Sequence, residues 1–98
     1  MNYDPISPLP PVRHDPDARR YHLTVGDAVA VMDYQLEGDR MIFTHTYVPP
    51  ALRNRGLAAR LVGAGLDDAR RHQRRVEARC SYVAHYLERH PEYRDLLA

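Results

Sequence analysis

The sequence has no lysine and no tryptophan, one cysteine, one phenylalanine and five glycines in 98 residues. Without lysine, every permanently cationic side chain is one of 14 arginines. Arginine presents a rigid, bidentate fork rather than a compact point charge. A lone Cys80 cannot close an intrachain disulfide, which excludes a disulfide-stapled scaffold and points to a reducing, cytoplasmic setting. The longest uninterrupted apolar run covers residues 28–32, too short for a helix that crosses a membrane. Residues 1–11 hold no apolar core flanked by basic residues, so no secretory signal is expected. Hydrophobic residues make up 44% and charged residues 28%, which excludes a wholly disordered or collagen-like chain. At this length the chain forms one domain with a modest core.

The formal net charge of +1 conceals a segregation. Residues 1–52 carry four arginines against seven acids, a net −3. Residues 53–79 carry eight arginines against Asp67, Asp68 and Glu77, a net +5, and residues 80–98 carry −1. A local excess of this kind suits an anion site, whereas the near-neutral total does not suit a nucleic-acid binder.

Five of the eight prolines fall in the first 16 residues. Proline lacks an N–H and fixes φ, so residues 1–19 read as a proline-rich tail and residues 20–98 as the folded body. The body opens with alternating patterns over residues 21–25, 28–36 and 41–48, separated by Gly26-Asp27 and Glu37-Gly38-Asp39, which predicts an antiparallel meander. In the third strand Met41, Phe43, His45 and Tyr47 are expected to share one face. Pro49-Pro50 ends that strand, and the period then changes. Ala58, Leu61, Val62, Leu66 and Ala69 recur at helical spacing, predicting an amphipathic helix from about Arg55 to His72. A short fourth strand through Val76, Ala78 and Cys80 follows. Ser81 is placed to cap a second helix reaching His90, and Pro91 either breaks that helix or begins a last turn. The order β-β-β-α-β-α implies an α+β fold. Its sheet is mostly antiparallel, with one right-handed parallel β-α-β unit.

The loop between the third strand and the first helix, residues 53–58, has the makings of an anion cradle. A helix start leaves N–H groups unpaired and carries partial positive charge. Gly56 lets a ligand approach the backbone, Ala58 permits similar closeness, and Arg53 and Arg55 add phosphate-compatible charge. Taken alone, the same residues also describe an ordinary helix entrance with solvated arginines.

The full pattern Val48-x-Pro50-x-x-Arg53-x-x-Gly56-x-Ala58 resembles the acyl-CoA pyrophosphate loop of the GNAT N-acetyltransferase superfamily. The likeness continues through His45-Thr46-Tyr47-Val48-Pro49-Pro50, Ala69-Arg70, Cys80-Ser81-Tyr82-Val83 and His90-Pro91-Glu92-Tyr93, in the order found in the short one-domain (YjdJ-type) group. It spans roughly residues 20–98. Tyr47 stands where that group often has an acid, and Arg79 where it usually has an apolar residue.

The resemblance implies a GNAT-like sheet with splayed strands, and acetyl-CoA as cosubstrate. Its pyrophosphate would lie on Arg53, Asn54, Arg55, Gly56, Leu57 and Ala58. The pantetheine arm would align on the backbone of Thr46, Tyr47 and Val48. His45 is the candidate general base, since histidine as a residue type suits proton transfer near neutral pH; a hydrogen-bonded, inert sheet-end histidine is the competing description. Cys80 either accepts the acyl group or shapes the pocket, unless it is simply a small buried hydrophobe. His45 and Cys80 are expected to line one pocket. Tyr86 could protonate the leaving thiolate, or could be one rung of the Tyr82, Val83, Tyr86, Leu87 core stripe. No metal site is implied, since the other histidines show no ligand-like pairing. The expected function is acetyl-CoA-dependent N-acetylation of an amine by direct attack. A weakly catalytic CoA-binding domain is the alternative, and an arginine-rich nucleic-acid binder the third reading.

Overall fold

The computed structural model describes residues 10–98; the first nine residues of the proline-rich segment lie outside them. Strands β1 (Arg13–Asp15), β2 (Arg20–Val25), β3 (Ala28–Glu37) and β4 (Arg40–Tyr47) precede helix α1 (Leu57–Arg71). Strand β5 (Arg75–Ala78) and helix α2 (Ser81–Arg89) follow, then a 3-10 segment, Pro91–Leu96. The five strands form one sheet in sequence order. The first three pairings are antiparallel, and β4 pairs parallel to β5 across α1. This is the α+β arrangement expected from the sequence, including its single β-α-β unit.

The sheet has one strand more than the meander expected. Residues 13–15, assigned to the tail, pair with the outer edge of β2, His14 opposite Tyr21. Pro10, Pro11 and Pro16 flank the strand without interrupting it, as proline permits at an edge. β1 therefore covers a strand edge that would otherwise present unpaired backbone groups.

Both helices pack on one sheet face. Tyr21, Leu23, Ala30, Met32, Phe43 and Val76 are buried there against Leu57, Leu61, Leu66 and Ala69 of α1 and Val83 of α2. α1 approaches the sheet closely at Gly65, where a Cβ would stand 2.7 Å from Met32 Cε and 2.8 Å from Phe43 Cε1. Glycine is required at that crossing for lack of space. The opposite face carries the cross-strand pair Arg20–Asp33 (2.6 Å) and the cluster of Glu77 with Arg40 (3.2 Å) and Arg79 (2.6 Å).

One irregularity decides the site. The β3–β4 register runs Leu36↔Met41 and Tyr34↔Phe43, then resumes at Asp33↔His45 and Met32↔Thr46. Thr44 is the extra residue of a β-bulge, which reverses the side-chain phase of everything after it. His45 and Tyr47 remain in phase with each other. Contrary to the expected strand face, both lie opposite Met41 and Phe43, and Thr46 takes the helix-covered face beside Met32.

Candidate functional site

The loop after β4 is built by its prolines and by Arg53. Pro49 and Pro50 turn the chain into the 3-10 segment Pro50–Leu52, whose Leu52 is buried. The Arg53 side chain folds back: its Nε–H donates to the Val48 carbonyl at 2.9 Å, and its guanidinium stands 6.0 Å from the Tyr47 ring centroid. Arg53 thus shapes the loop as well as charging it. Asn54 and Gly56 both take left-handed backbone, at φ 65° and 73°. Asparagine and glycine adopt that conformation most readily.

α1 then starts at Leu57 rather than Arg55, with no side-chain cap on its first-turn amides. A Cβ on Gly56 would meet nothing within 4 Å, so this backbone faces open space. Arg55 is exposed and enters no ion pair among the described residues. Leu57 points inward and is buried, while Ala58 is partly exposed on the first turn. Free amides, a helix N-terminus and an unpaired guanidinium fit an anionic phosphate group.

Next to the loop the two parallel strands separate. Their pairing ends at Phe43↔Ala78, while β4 continues to Tyr47. The Phe43 carbonyl closes the ladder by accepting the N–H groups of both Arg79 (2.9 Å) and Cys80 (3.1 Å). β5 stops at Ala78, two residues short of the strand expected, and Cys80 rather than Ser81 occupies the N-cap of α2.

Cys80 Sγ lies 3.5 Å from Thr46 Oγ1, across the gap. Burial opposes ionisation of this half-buried thiol. Hydrogen bonding from the Thr46 hydroxyl and from the amides of Val83, Tyr82 and Thr46 outweighs it and holds the thiol below its ordinary range. A helix N-terminus favours a thiolate in the same sense.

The structure brings Cys80 to Thr46 and places the His45 side chain on the opposite sheet face. His45 is exposed, pairs across β3 with Asp33, and lies on the sheet face opposite Thr46. Among the described residues no hydrogen bond joins it to Cys80. Asp33 is engaged by Arg20 through two bonds, of 2.6 and 3.2 Å.

Tyr86 is on α2 against α1. Its hydroxyl is the nearest atom, at 3.5 Å, to where a Cβ on Gly63 would stand, and its ring stacks on His90 at 3.8 Å. Burial, then the nearby Glu92 and Asp67, raise its pKa, so it is a phenol at neutral pH. Tyr47 is exposed and Val48 partly so, at the open end of the gap. The side-chain role of Thr46 escapes a reading of periodicity, because only the bulge turns that hydroxyl toward the cysteine.

The profile of the GCN5-related N-acetyl-transferase family matches residues 20–96; the chain belongs to this family. It is similar to Protein NATD1 of Homo sapiens, with 34% identity over 86 residues, covering 83% of this chain and 76% of that protein. Protein NATD1 of Gallus gallus is 31% identical over 83 residues, covering 82% and 76%. The solution structure of a GCN5-like protein from Staphylococcus aureus superposes with a TM-score of 0.72, at 22% identity, over 89% of this chain and 86% of that one. At that identity the likeness is one of fold.

Proposed function

We propose that the chain is an acyl-CoA-dependent N-acyltransferase, with acetyl-CoA as donor and an amine as acceptor. The observation that carries this reading is the gap between β4 and β5. It opens beside a free helix N-terminus and holds one polarised thiol, Cys80, against Thr46. Residues 53–58 would take the pyrophosphate through backbone amides and the Arg55 charge. The edge of β4 at Thr46, Tyr47 and Val48 would align the pantetheine arm, as exposed strand backbone can.

In direct attack the amine nitrogen bonds to the acyl carbon and the carbon–sulfur bond breaks. The released thiolate then needs a proton, for which Tyr86 is the neutral donor on α2. His45, across the sheet, would take the amine proton only from the open side of the gap.

A second reading rests on the position of Cys80. Its thiolate could accept the acyl group first and pass it to the amine, a covalent relay. Release of CoA thiol from acetyl-CoA with a panel of small amines and amine-bearing peptides tests the activity. Amine-dependent release supports it, and no release above the enzyme-free rate with any amine counts against it. Loss of release in Cys80→Ala selects the relay, whereas a retained rate with Cys80→Ala and loss in His45→Ala selects direct attack.

A further inference from the structure

A cavity of about 370 Å³ lies at the other end of α1. Asp68 on its wall is eleven residues along the helix from Leu57, which is about 16 Å at 1.5 Å per residue. The cavity is therefore distinct from the gap between β4 and β5.

Its wall is preformed. The His14 ring, carried by β1, stacks on Tyr21 at 4.3 Å with 6° between planes. The Tyr34 hydroxyl lies 2.6 Å from His14 Nε2. The buried Tyr21 hydroxyl donates to Asp68 Oδ2 at 2.7 Å, and Arg71 pairs with the other carboxylate oxygen. His72 donates from Nδ1 to the Asp68 carbonyl, 2.9 Å away. Leu36 and Met41 supply an apolar floor.

Two groups in this lining are left over. Arg19 and Arg74 both border the cavity, and among the described residues neither has a carboxylate partner. Both guanidiniums border the same space as the Tyr34 phenol. Asp68, the one carboxylate in the lining, is already committed to Tyr21 and Arg71 and lies 3.8 Å from His14 Nδ1, and the nearby Asp15 accepts the Ala18 N–H. Two unpaired cations facing one cavity repel each other unless an anion enters between them. Guanidiniums bind carboxylates and phosphates alike. The aromatic wall and apolar floor call for a ligand with a planar or apolar body, and Asp68 on the rim disfavours a doubly charged head.

We propose that this cavity is a ligand site for a small organic monocarboxylate. Its carboxylate sits between Arg19 and Arg74, and its body lies on Tyr34, Leu36 and Met41. The volume falls within the range of small-molecule sites.

Titration of the full chain with benzoate, benzamide and inorganic phosphate, followed by amide and methyl NMR shifts, tests this without acyl-CoA. Saturable benzoate shifts are expected at Tyr34, Leu36 and Met41. Benzamide and phosphate are each expected to bind at least about tenfold more weakly, and Arg19→Gln and Arg74→Gln each to weaken benzoate by about tenfold or more. Both arginines lie at the surface rim, and an unchanged amide spectrum away from the cavity would show that each variant folds. The proposal is overturned if benzamide or phosphate matches benzoate at these resonances. It is also overturned if benzoate shifts map elsewhere, if folded Arg→Gln variants bind as the parent does, or if nothing saturates by about 10 mM.

Discussion

Cys80 owes its acidity to where it stands. The stabilising groups are the Thr46 hydroxyl and the amides of Val83, Tyr82 and Thr46, which together outweigh its burial. All of them favour the thiolate. Alkylation by iodoacetamide should therefore titrate with a midpoint below that of a free thiol, with the reactive form lost as pH falls through that midpoint. Thr46→Val keeps the shape and removes the hydroxyl. It should move the midpoint upward, and an unmoved midpoint would take the hydroxyl out of the account. At this scale the sequence was partly legible. The family resemblance points to thioester chemistry at positions 45, 46 and 80; the residue types alone do not. Which of the three meet depends on Thr44 being extruded as a bulge, and nothing in the period-2 alternation of Met41, Phe43, His45 and Tyr47 marks the extra residue. The alternation stays apolar to Phe43 and turns polar afterwards, so it is compatible with either phase.

At the scale of elements, α1 is fixed to the sheet by a glycine that the apolar stripe does not announce. Gly65 sits where a Cβ would overlap Met32 and Phe43. Gly65→Ala should destabilise the fold by about 1–3 kcal/mol through overpacking, despite the gain in helix propensity. Two residues earlier, a Cβ on Gly63 meets only the Tyr86 hydroxyl, at 3.5 Å. Gly63→Ala should be neutral or stabilise by up to about 1 kcal/mol. Thermal unfolding of the pair reads the contrast directly, and equal shifts would refute the packing difference. The helices, the parallel pair and the turns at Gly26 and Gly38 were legible because 3.6- and 2-residue periods and left-handed glycines are local signals. The β1 strand was not, since its three residues, Arg13, His14 and Asp15, are all exposed and carry no apolar alternation. Only the edge it covers gives it a reason to form.

Across the whole molecule, the two ends of α1 are held differently. At its start the chain leaves amides and an arginine unpaired; at its end side chains from β1, β2 and β3 converge on Asp68. His14 ties β1 to the body through the stack on Tyr21 and the bond to Tyr34. His14→Ala should cost about 1–2 kcal/mol and lower Tm by several degrees in a domain of this size. A Tm unchanged in the variant would mean that the His14 stack and hydrogen bond add no stability. The segregation of charge along the chain acquires a place here. Several of the arginines of residues 53–79 are spent in the fold: Arg70 on Asp95, Arg71 on Asp68, Arg79 on Glu77 and Arg53 on the Val48 carbonyl. Among the described residues Arg53, Arg60 and Arg75 donate only to backbone carbonyls, and Arg55 at the loop and Arg74 at the cavity enter no ion pair. Five of the eight arginines of the positive block therefore keep their charge without a carboxylate, at several places along α1 rather than in one patch.

The gap between β4 and β5 and the loop beside it stand or fall with one ligand. Thermal unfolding of the full chain with and without acetyl-CoA is the most direct measurement. At about 100-fold over Kd, binding to the folded state alone adds about 2.7 kcal/mol. Tm should rise by several degrees, and Gly56→Val, which places a branched side chain in the cradle, should abolish the rise. An unchanged Tm in millimolar acetyl-CoA would contradict acyl-CoA binding and the activity proposed from it.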